Sequence, residues 1–379
     1  MVTMETRDEL EAIDLEIKEL VERRLKLTTR NDLMMSKSES ALAGRKYERE
    51  LLHSLAKQED NNLENCERMM FQTLFNVSHS YCSSQNGTRS HLSEAIKTAL
   101  ENTPSEFPKS ALVACQGVEG AYSQKAADKL FLNANIMYFR TFDGVFKAVE
   151  SGLVKYGVLP IENSSYGSVT QVYDLMKSHR FNIVRSVKLQ ISHKLLSKPG
   201  TDPKAIREVF SHEQAIGQCS QFFKDNKDIK VTIVANTAIA AQMVADSDRD
   251  DVAAISSQDC CDLYGLQVIN DRIQNSDHNY TRFICISKDA EIYPGASKIS
   301  MMMSIGHTPG SLSDTLARFS ALGLNLTKIE SRPILGSDFE FMFYLDVEAS
   351  VYSDAVITLL CQLDQDPAAF TFLGSYSEV

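Results

Sequence analysis

What this chain lacks narrows it before any motif is read. No apolar run reaches the roughly 18 residues that a membrane-spanning helix needs. Positive charge is in deficit: Lys and Arg number 39 against 50 Asp and Glu, a net charge of −11. Without a basic stripe to displace counterions, nucleic acid is not expected as a partner. An anionic ligand would need local cations or backbone amides, because the overall field repels it. No Gly-x-Gly-x-x-Gly follows a strand-like run, which argues against a nicotinamide-dependent dehydrogenase. None of the 8 cysteines forms a Cys-x-x-Cys pair, and Cys260 and Cys261 are adjacent. Adjacent thiols rarely pair with each other, so these read as reduced cysteines of the cytosol. The N-terminus, MVTMETRDELEAIDLEIKELVERR, is charged throughout and has no signal-peptide core, so a cytoplasmic location is expected. The sequons at Asn76, Asn163, Asn279 and Asn325 then carry no glycan.

What is present is globular, with 43% hydrophobic and 23% charged residues. A length of 379 residues exceeds one ordinary core, and about two to four domains are expected. Residues 1–100 are rich in helix formers and contain no proline. The stretch ENTPSEFPKS is a linker. From 108 to 288, apolar runs such as ALVAC, YGVLPI, REVF, VTIVA and VAAI alternate with helical stretches, which implies a largely parallel α/β sheet. After a second linker, residues 298–379 read strand, helix, strand, strand, helix, strand, the order of a ferredoxin-like α+β unit.

In the helical block, Leu10, Ile13, Ile17, Leu20 and Leu27 form an apolar stripe whose gap is Arg24. Extended backwards, the stripe meets Arg7. A guanidinium on a buried seam needs an anion. The two arginines lie roughly 25 Å apart along a helix, too far to share one small ligand. Either they serve composite sites in an antiparallel, intertwined dimer, or they snorkel to solvent at frayed ends. The segments RDELEAIDLEIKELVERR and YERELLHSL resemble the three-helix, all-α chorismate mutase domain. The resemblance implies a substrate clamp in which Arg7, Arg24 and Glu48 take part. The family's Lys falls on Met35, with Lys37 two residues away; its Asp falls on Gly44, and a further Arg on Tyr47. Its last-helix Ser and Gln fall near Ser78 and near Cys82 or Gln85.

In the central block, GVEGAYSQ follows the strand ALVAC and brings Ser123 to a helix start, an anion-ready place. PIENSSYGSV follows YGVL and offers Asn163, Ser164 and Ser165. SHEQAIGQC sets Gln214 and Gln218 one helical turn apart. ANTAIAAQMV makes Thr237 the expected N-cap. In HNYTRF, strand alternation sends Thr281 and Phe283 to one face and Arg282 to the other. Each is ordinary capping or strand chemistry alone; together, at the carboxyl edge of one sheet, they describe a cleft of neutral donors. This ordered set resembles prephenate dehydratase, with Val118 where that family commonly has Pro. The resemblance implies two α/β lobes like type II periplasmic binding proteins. It also implies a site in which Thr281 supplies the essential hydroxyl, with Asn163, Gln218 and Glu162 as catalytic partners. Ser123, Ser164, Ser165, Thr237 and Phe283 would contact substrate, and no cofactor or metal is needed. Arg282 is expected to be structural.

In the last block, Gly310, Ser311, Leu312 and Ser313 open a helix, and Asn325 and Leu326 begin a strand that ends in Glu330, Ser331, Arg332 and Pro333. Both stretches resemble the phenylalanine-binding turns of the ACT domain, although Ser311 and Ser313 replace apolar residues there. The expectation is therefore a cytoplasmic dehydratase acting on prephenate, sensitive to phenylalanine and at least dimeric, with chorismate as a further substrate of the helical domain left open. The rival readings are a non-enzymatic solute-binding protein and a module whose helical part only dimerises.

Overall fold

The computed structural model describes the chain apart from residues 1–3, 35–36, 56–60, 86–90, 308, 335–339 and 365–368; the side chains of 4–5, 30–34, 37–45, 61, 76, 79–80 and 83–85 are likewise outside the description. It divides into two compact units. One comprises Met1–Glu94, Ile305–Leu324 and Tyr352–Phe370; the other comprises Ala95–Ser304, Asn325–Val351 and Thr371–Val379. This differs from a division at 1–100, 108–288 and 298–379. The C-terminal strands cluster with the central block, while the helices between them fall in the first unit.

The first unit contains α1 (Met4–Met34), α2 (Lys37–Leu55) and α3 (Asn61–Gln85); α4 (His91–Asn102) leads out of it. Helix α1 packs on α3 through its second half, where Val21, Arg24, Leu25 and Thr28 are partly covered. Leu10, Ile13, Ile17, Leu20 and Leu27, expected on a buried seam, are instead about half exposed in the single chain. No described helix is long and apolar enough to cross a membrane.

The second unit is built on two sheets. Its first lobe contains β1 (Ser110–Gln116), α5 (Tyr122–Leu130), β2 (Asn133–Phe139), α6 (Phe142–Glu150), β3 (Tyr156–Asn163), β4 (Gly167–Ser168), α7 (Thr170–Met176) and β5 (Asn182–Gln190). The second contains β6 (Lys194–Ser197), β7 (Glu208–Ser211), α8 (Glu213–Gln218), α9 (Ser220–Asp225), β8 (Lys230–Ile233), α10 (Thr237–Asp246), β9 (Val252–Ser256), α11 (Gln258–Leu263) and β10 (Gln267–Asn270). The chain then returns to the first lobe as β11 (Tyr280–Ser287). It ends in β12 (Lys298–Ser304), α12 (Ser311–Ala321), β13 (Asn325–Pro333), β14 (Phe341–Glu348), α13 (Asp354–Leu363) and β15 (Phe370–Glu378).

The larger sheet has the order β13-β14-β12-β15-β5-β11-β3-β1-β2, with β4 added to β3; the smaller has the order β10-β6-β9-β7-β8. Neither is largely parallel as expected. Strand β1 runs parallel to β2 and β3, but β11 runs antiparallel to β3 and β5. In the smaller sheet β7 is parallel to β8 and β9, and β6 is antiparallel to β9 and β10. The reversal matters for function, because β11 starts where β3 ends.

The two faces of the larger sheet bury separate cores. Val113, Cys115, Phe283 and Cys285 pack with Ala126 and Ala127 of α5 on one face. Ile284 and Ile286 pack with Val145, Val172, Tyr173, Tyr344 and Tyr376 on the other. Pro160 lies inside β3, beyond the Tyr156–Val158 stretch that pairs with β1, so its missing N–H costs no bond there. Opposite it the β3–β11 register shifts, leaving Ile161 as a bulged residue.

Candidate active site

At the mouth of the larger sheet, register sets Thr281 opposite Asn163 and Arg282 opposite Glu162. Alternation then sorts these pairs to opposite faces. On the first face the Asn163 side chain is a hub. Its Oδ1 accepts the backbone N–H groups of Ser165 at 2.9 Å and Tyr166 at 3.0 Å. Those donors cannot reverse, so they fix the amide, and its Nδ2 donates to Thr281 Oγ1 at 2.9 Å and to Asn279 Oδ1 at 2.8 Å. With Oγ1 accepting from Asn163, the Thr281 hydroxyl keeps its own hydrogen to donate.

Gln218, on α8 of the other lobe, completes the cluster. Its Nε2 reaches Asn163 Oδ1 and Asn279 Oδ1 at 3.4 Å each, while its Oε1 lies 2.5 Å from His193 Nε2. That arrangement requires the His193 proton on Nε2. Burial lowers the His193 pKa, against a smaller upward pull from Gln218, so the ring is held neutral. The cluster around Thr281 is thus made of uncharged side chains, and it spans both lobes.

Several expected contacts fall elsewhere. Glu162 turns to the opposite face, where its Oε1 lies 2.6 Å from Arg282 Nε and its Oε2 3.1 Å from Lys328 Nζ. It is not a member of the Thr281 group, because it sits one residue away on an alternating strand. Phe283 shares the face of Thr281 but is sunk in the core under α5. Thr237 is the first residue of α10, and Asn236 is the cap, its side chain accepting from Ile239 N. Ser164 Oγ donates to His278 O and accepts from Tyr280 N, which ties the loop to the start of β11. Ser165 is exposed and enters through its backbone alone. Ser123 is buried in the first turn of α5.

The turn before α5 fits closely between the lobes. Gly117 and Gly120 have φ of 115° and 87°, and a Cβ on Gly120 would lie 2.9 Å from Cys260 Sγ. Val118 and Ala121 pack with Ala238 and Ala241 of α10. Asn279 and His193 were not singled out from the sequence. Asn279 is two residues before Thr281, so the same alternation predicts that it shares that face; His193 carries no comparable signal.

Arg282 is 3% exposed, and its Nη2 bonds Asp346 Oδ2 on β14. Burial alone would lower its pKa, but Asp346, Tyr376 and Glu162 outweigh that and raise it. Removing one partner of such a pair typically costs about 3–5 kcal/mol, because the other charge is left buried. On β13, Glu330 accepts from Ser168 Oγ at 2.6 Å, and Arg332 makes a two-pronged pair with Asp174 of α7, both contacts at 2.9 Å. Asn325 donates to Glu348 at 2.8 Å, Leu326 is partly buried, and Ser331 and Pro333 are exposed. Gly310, at φ 90°, caps α12, whose first turn holds Ser311, Leu312 and Ser313.

In the helical unit, Arg7 is exposed; Arg24 donates to Ser78 Oγ, with its guanidinium 5.1 Å from the centre of the Phe75 ring. Glu48 is partly buried on α2. Met35 and the Lys37 side chain lie outside the described residues. Among the described residues, no cluster of His, Cys, Asp or Glu is placed to hold a metal ion.

Comparison with known proteins bears on this geometry. A family model described as prephenate dehydratase matches residues 113–291. The chloroplastic arogenate dehydratase/prephenate dehydratase 2 of Arabidopsis thaliana is 38% identical over 280 residues, 70% of this chain and 72% of that protein. The bifunctional chorismate mutase/prephenate dehydratase of Enterobacter agglomerans is 35% identical over 272 residues, 70% of each. A solved prephenate dehydratase from Arthrobacter aurescens, in complex with L-Phe, superposes with a TM-score of 0.63 at 25% identity, covering 70% of this chain and 90% of that one.

Proposed function

The chain belongs to the prephenate dehydratase family, and from that premise we propose that it converts prephenate to phenylpyruvate at Thr281. The enzyme is a lyase. In the reaction the ring carboxylate leaves as CO₂ and its bonding electrons enter the ring. The C–O bond to the ring hydroxyl breaks with its pair going to oxygen, and the departing hydroxide becomes water by taking up a proton. Electrons stay within the substrate, so the chemistry calls for no redox cofactor. A threonine hydroxyl is too weak an acid to release a proton, but it can support charge on the leaving oxygen with a hydrogen bond.

The observation that carries this reading is the fixed Asn163 amide, which donates to Thr281 Oγ1 and so reserves the threonine hydrogen for another acceptor. Helix-terminal amides would meet the substrate carboxylates in this neutral setting.

A second substrate is favoured by the relatives. The Arabidopsis protein is named for arogenate as well as prephenate. Arogenate carries an amino group where prephenate has a keto group, and the same elimination would yield phenylalanine directly. We further propose phenylalanine as an effector acting through residues 298–379, supported by the L-Phe complex of the Arthrobacter protein. The enzyme would be a cytoplasmic homodimer in which α1 supplies an apolar face, and chorismate is a candidate substrate of the helical unit because one relative is bifunctional.

The test is to supply prephenate, arogenate and chorismate separately to the purified chain and to follow phenylpyruvate, phenylalanine and prephenate. Prephenate or arogenate should be consumed, and Thr281→Ala should lower that rate by about 10² or more while the protein stays folded. A wild type inert towards both, or a Thr281→Ala variant within about tenfold of it, would remove the assignment.

A further inference from the structure

The residues opposite the Thr281 face form a continuous charged network that ends on other strands. Glu162 is ion-paired with Arg282 and Lys328. Arg282 bonds Asp346, whose other oxygen accepts from Ser300 Oγ at 2.5 Å. Ser300 in turn lies 2.7 Å from the Tyr376 hydroxyl. Lys328 also donates to Ser168 Oγ at 2.7 Å, and Ser168 is the residue of β4 that pairs with Glu162 of β3. The charged partners Lys328 and Asp346 belong to β13 and β14, remote in sequence from the site.

The position of this network is informative. The bulge at Ile161 breaks the β3–β11 ladder just before its last two pairs, Arg282 with Glu162 and Thr281 with Asn163. Beyond a bulge, the ladder below no longer dictates register, and a one-residue slip would exchange the two faces. It would put Glu162 in the place of Asn163 beside the threonine. On the loop side Ser164 opposes this slip through His278 and Tyr280. On the face away from Thr281 the opposing contacts are those of Glu162 and Arg282, and both reach outward to the C-terminal strands. Lys328 grips both sides of the β3–β4 hairpin at once, through Glu162 and Ser168, and the hairpin loop is what presents Asn163.

We infer that Lys328 and Asp346 are positioning residues of the dehydratase site: through Glu162 and Arg282 they hold the β3–β11 strand end in the register that seats Asn163 on Thr281. The inference rests on Thr281 and Asn163 being the reacting site. It makes the C-terminal strands part of the catalytic scaffold as well as the proposed seat of the effector. Neither residue touches substrate, so their loss should slow turnover and leave substrate affinity nearly unchanged.

Lys328→Met keeps the apolar stem and removes the charge. In the full chain it is expected to lower kcat on the accepted substrate about tenfold, with KM within about twofold and a melting temperature close to wild type. Lys328→Arg, which restores a cation, should recover most of the rate. Asp346→Asn should lower the kcat of the folded protein likewise, but with a lowered melting temperature, because it leaves the buried Arg282 charge without that partner. If Lys328→Met does not fold, Lys328→Gln, which keeps a donor without charge, takes its place. Full kcat in a folded Lys328 variant overturns the inference. So does a loss that Lys328→Arg fails to restore, or one that merely follows the fraction of unfolded protein. A wild type that accepts neither substrate overturns the dehydratase assignment instead, so the two failures are told apart.

Discussion

At the scale of single residues, the proposed chemistry turns on one side-chain amide. Asn163 accepts two backbone N–H groups and donates to Asn279 and Thr281, so each of its atoms has one assigned role. Asn163→Asp is nearly isosteric and still accepts from Ser165 and Tyr166, but it turns the donor to Thr281 into an acceptor and adds a negative charge beside an anionic substrate. We expect a fall in kcat/KM of about 10² or more with an unchanged melting temperature. A variant within a few-fold of wild type would mean that the amide only shapes the loop. Asn163, Gln218 and Thr281 are legible in the sequence through the resemblance of the motifs that carry them to those of a known family. The sequence is less informative about Glu162 and Phe283. Both lie within one or two residues of Asn163 and Thr281, and only the register and depth of the strand tell that one faces an ion pair and the other a core. His193 was invisible for another reason: it reaches the site through Gln218, from the segment between β5 and β6, which has no motif of its own.

At the scale of elements, the decisive feature is that β11 is antiparallel to its neighbours, a reversal that the alternating βα texture conceals. Local patterns report strands and helices well, but the direction of a strand is set by where the chain returns, which no single window contains. The same holds for the hairpin after β3. A Cβ built on Gly217 of α8 would lie 1.8 Å from the Tyr166 hydroxyl, so the loop from one lobe rests directly on the helix of the other. Gly217→Ala should therefore displace Tyr166 and, with it, the loop that orders Asn163 against Gln218. We expect kcat/KM to fall about tenfold. Tyr166→Phe removes the offending oxygen and leaves the nearest ring carbon at 3.1 Å, so the double variant should recover most of the loss. Steady-state kinetics of the two single variants and the double variant decide it, and purely additive effects would show that the contact is incidental.

At the scale of the molecule, the C-terminal strands were expected to form a separable domain, but they continue the central sheet. β15 pairs with β5, and Lys328 and Asp346 meet charges at the mouth of the site. Truncation near residue 290 would strip Arg282 of Asp346 and leave a nearly buried guanidinium without that partner, so deletion would not separate the proposed regulation from catalysis. The other end of the chain makes the opposite demand. Leu10, Ile13, Ile17, Leu20 and Leu27 line one side of α1, and each is about half exposed. A run of large apolar side chains along a 31-residue helix is a costly surface for one chain to leave in water. The helical stripe was legible from its spacing; that α3 covers a different side of α1 was not, since Val21 and Leu25 break no pattern. In the proposed homodimer a second copy of α1 would cover it, because a stripe with a regular repeat is self-complementary under two-fold symmetry. The full chain should sediment as a dimer or a multiple of one at micromolar concentration. Ile17→Glu with Leu20→Glu places two like charges in the proposed seam and should shift it towards the monomer, with helical content retained and Thr281 untouched. A wild type that is monomeric, or a charged variant that keeps its full size, would assign the stripe to some other contact and the oligomer to another face.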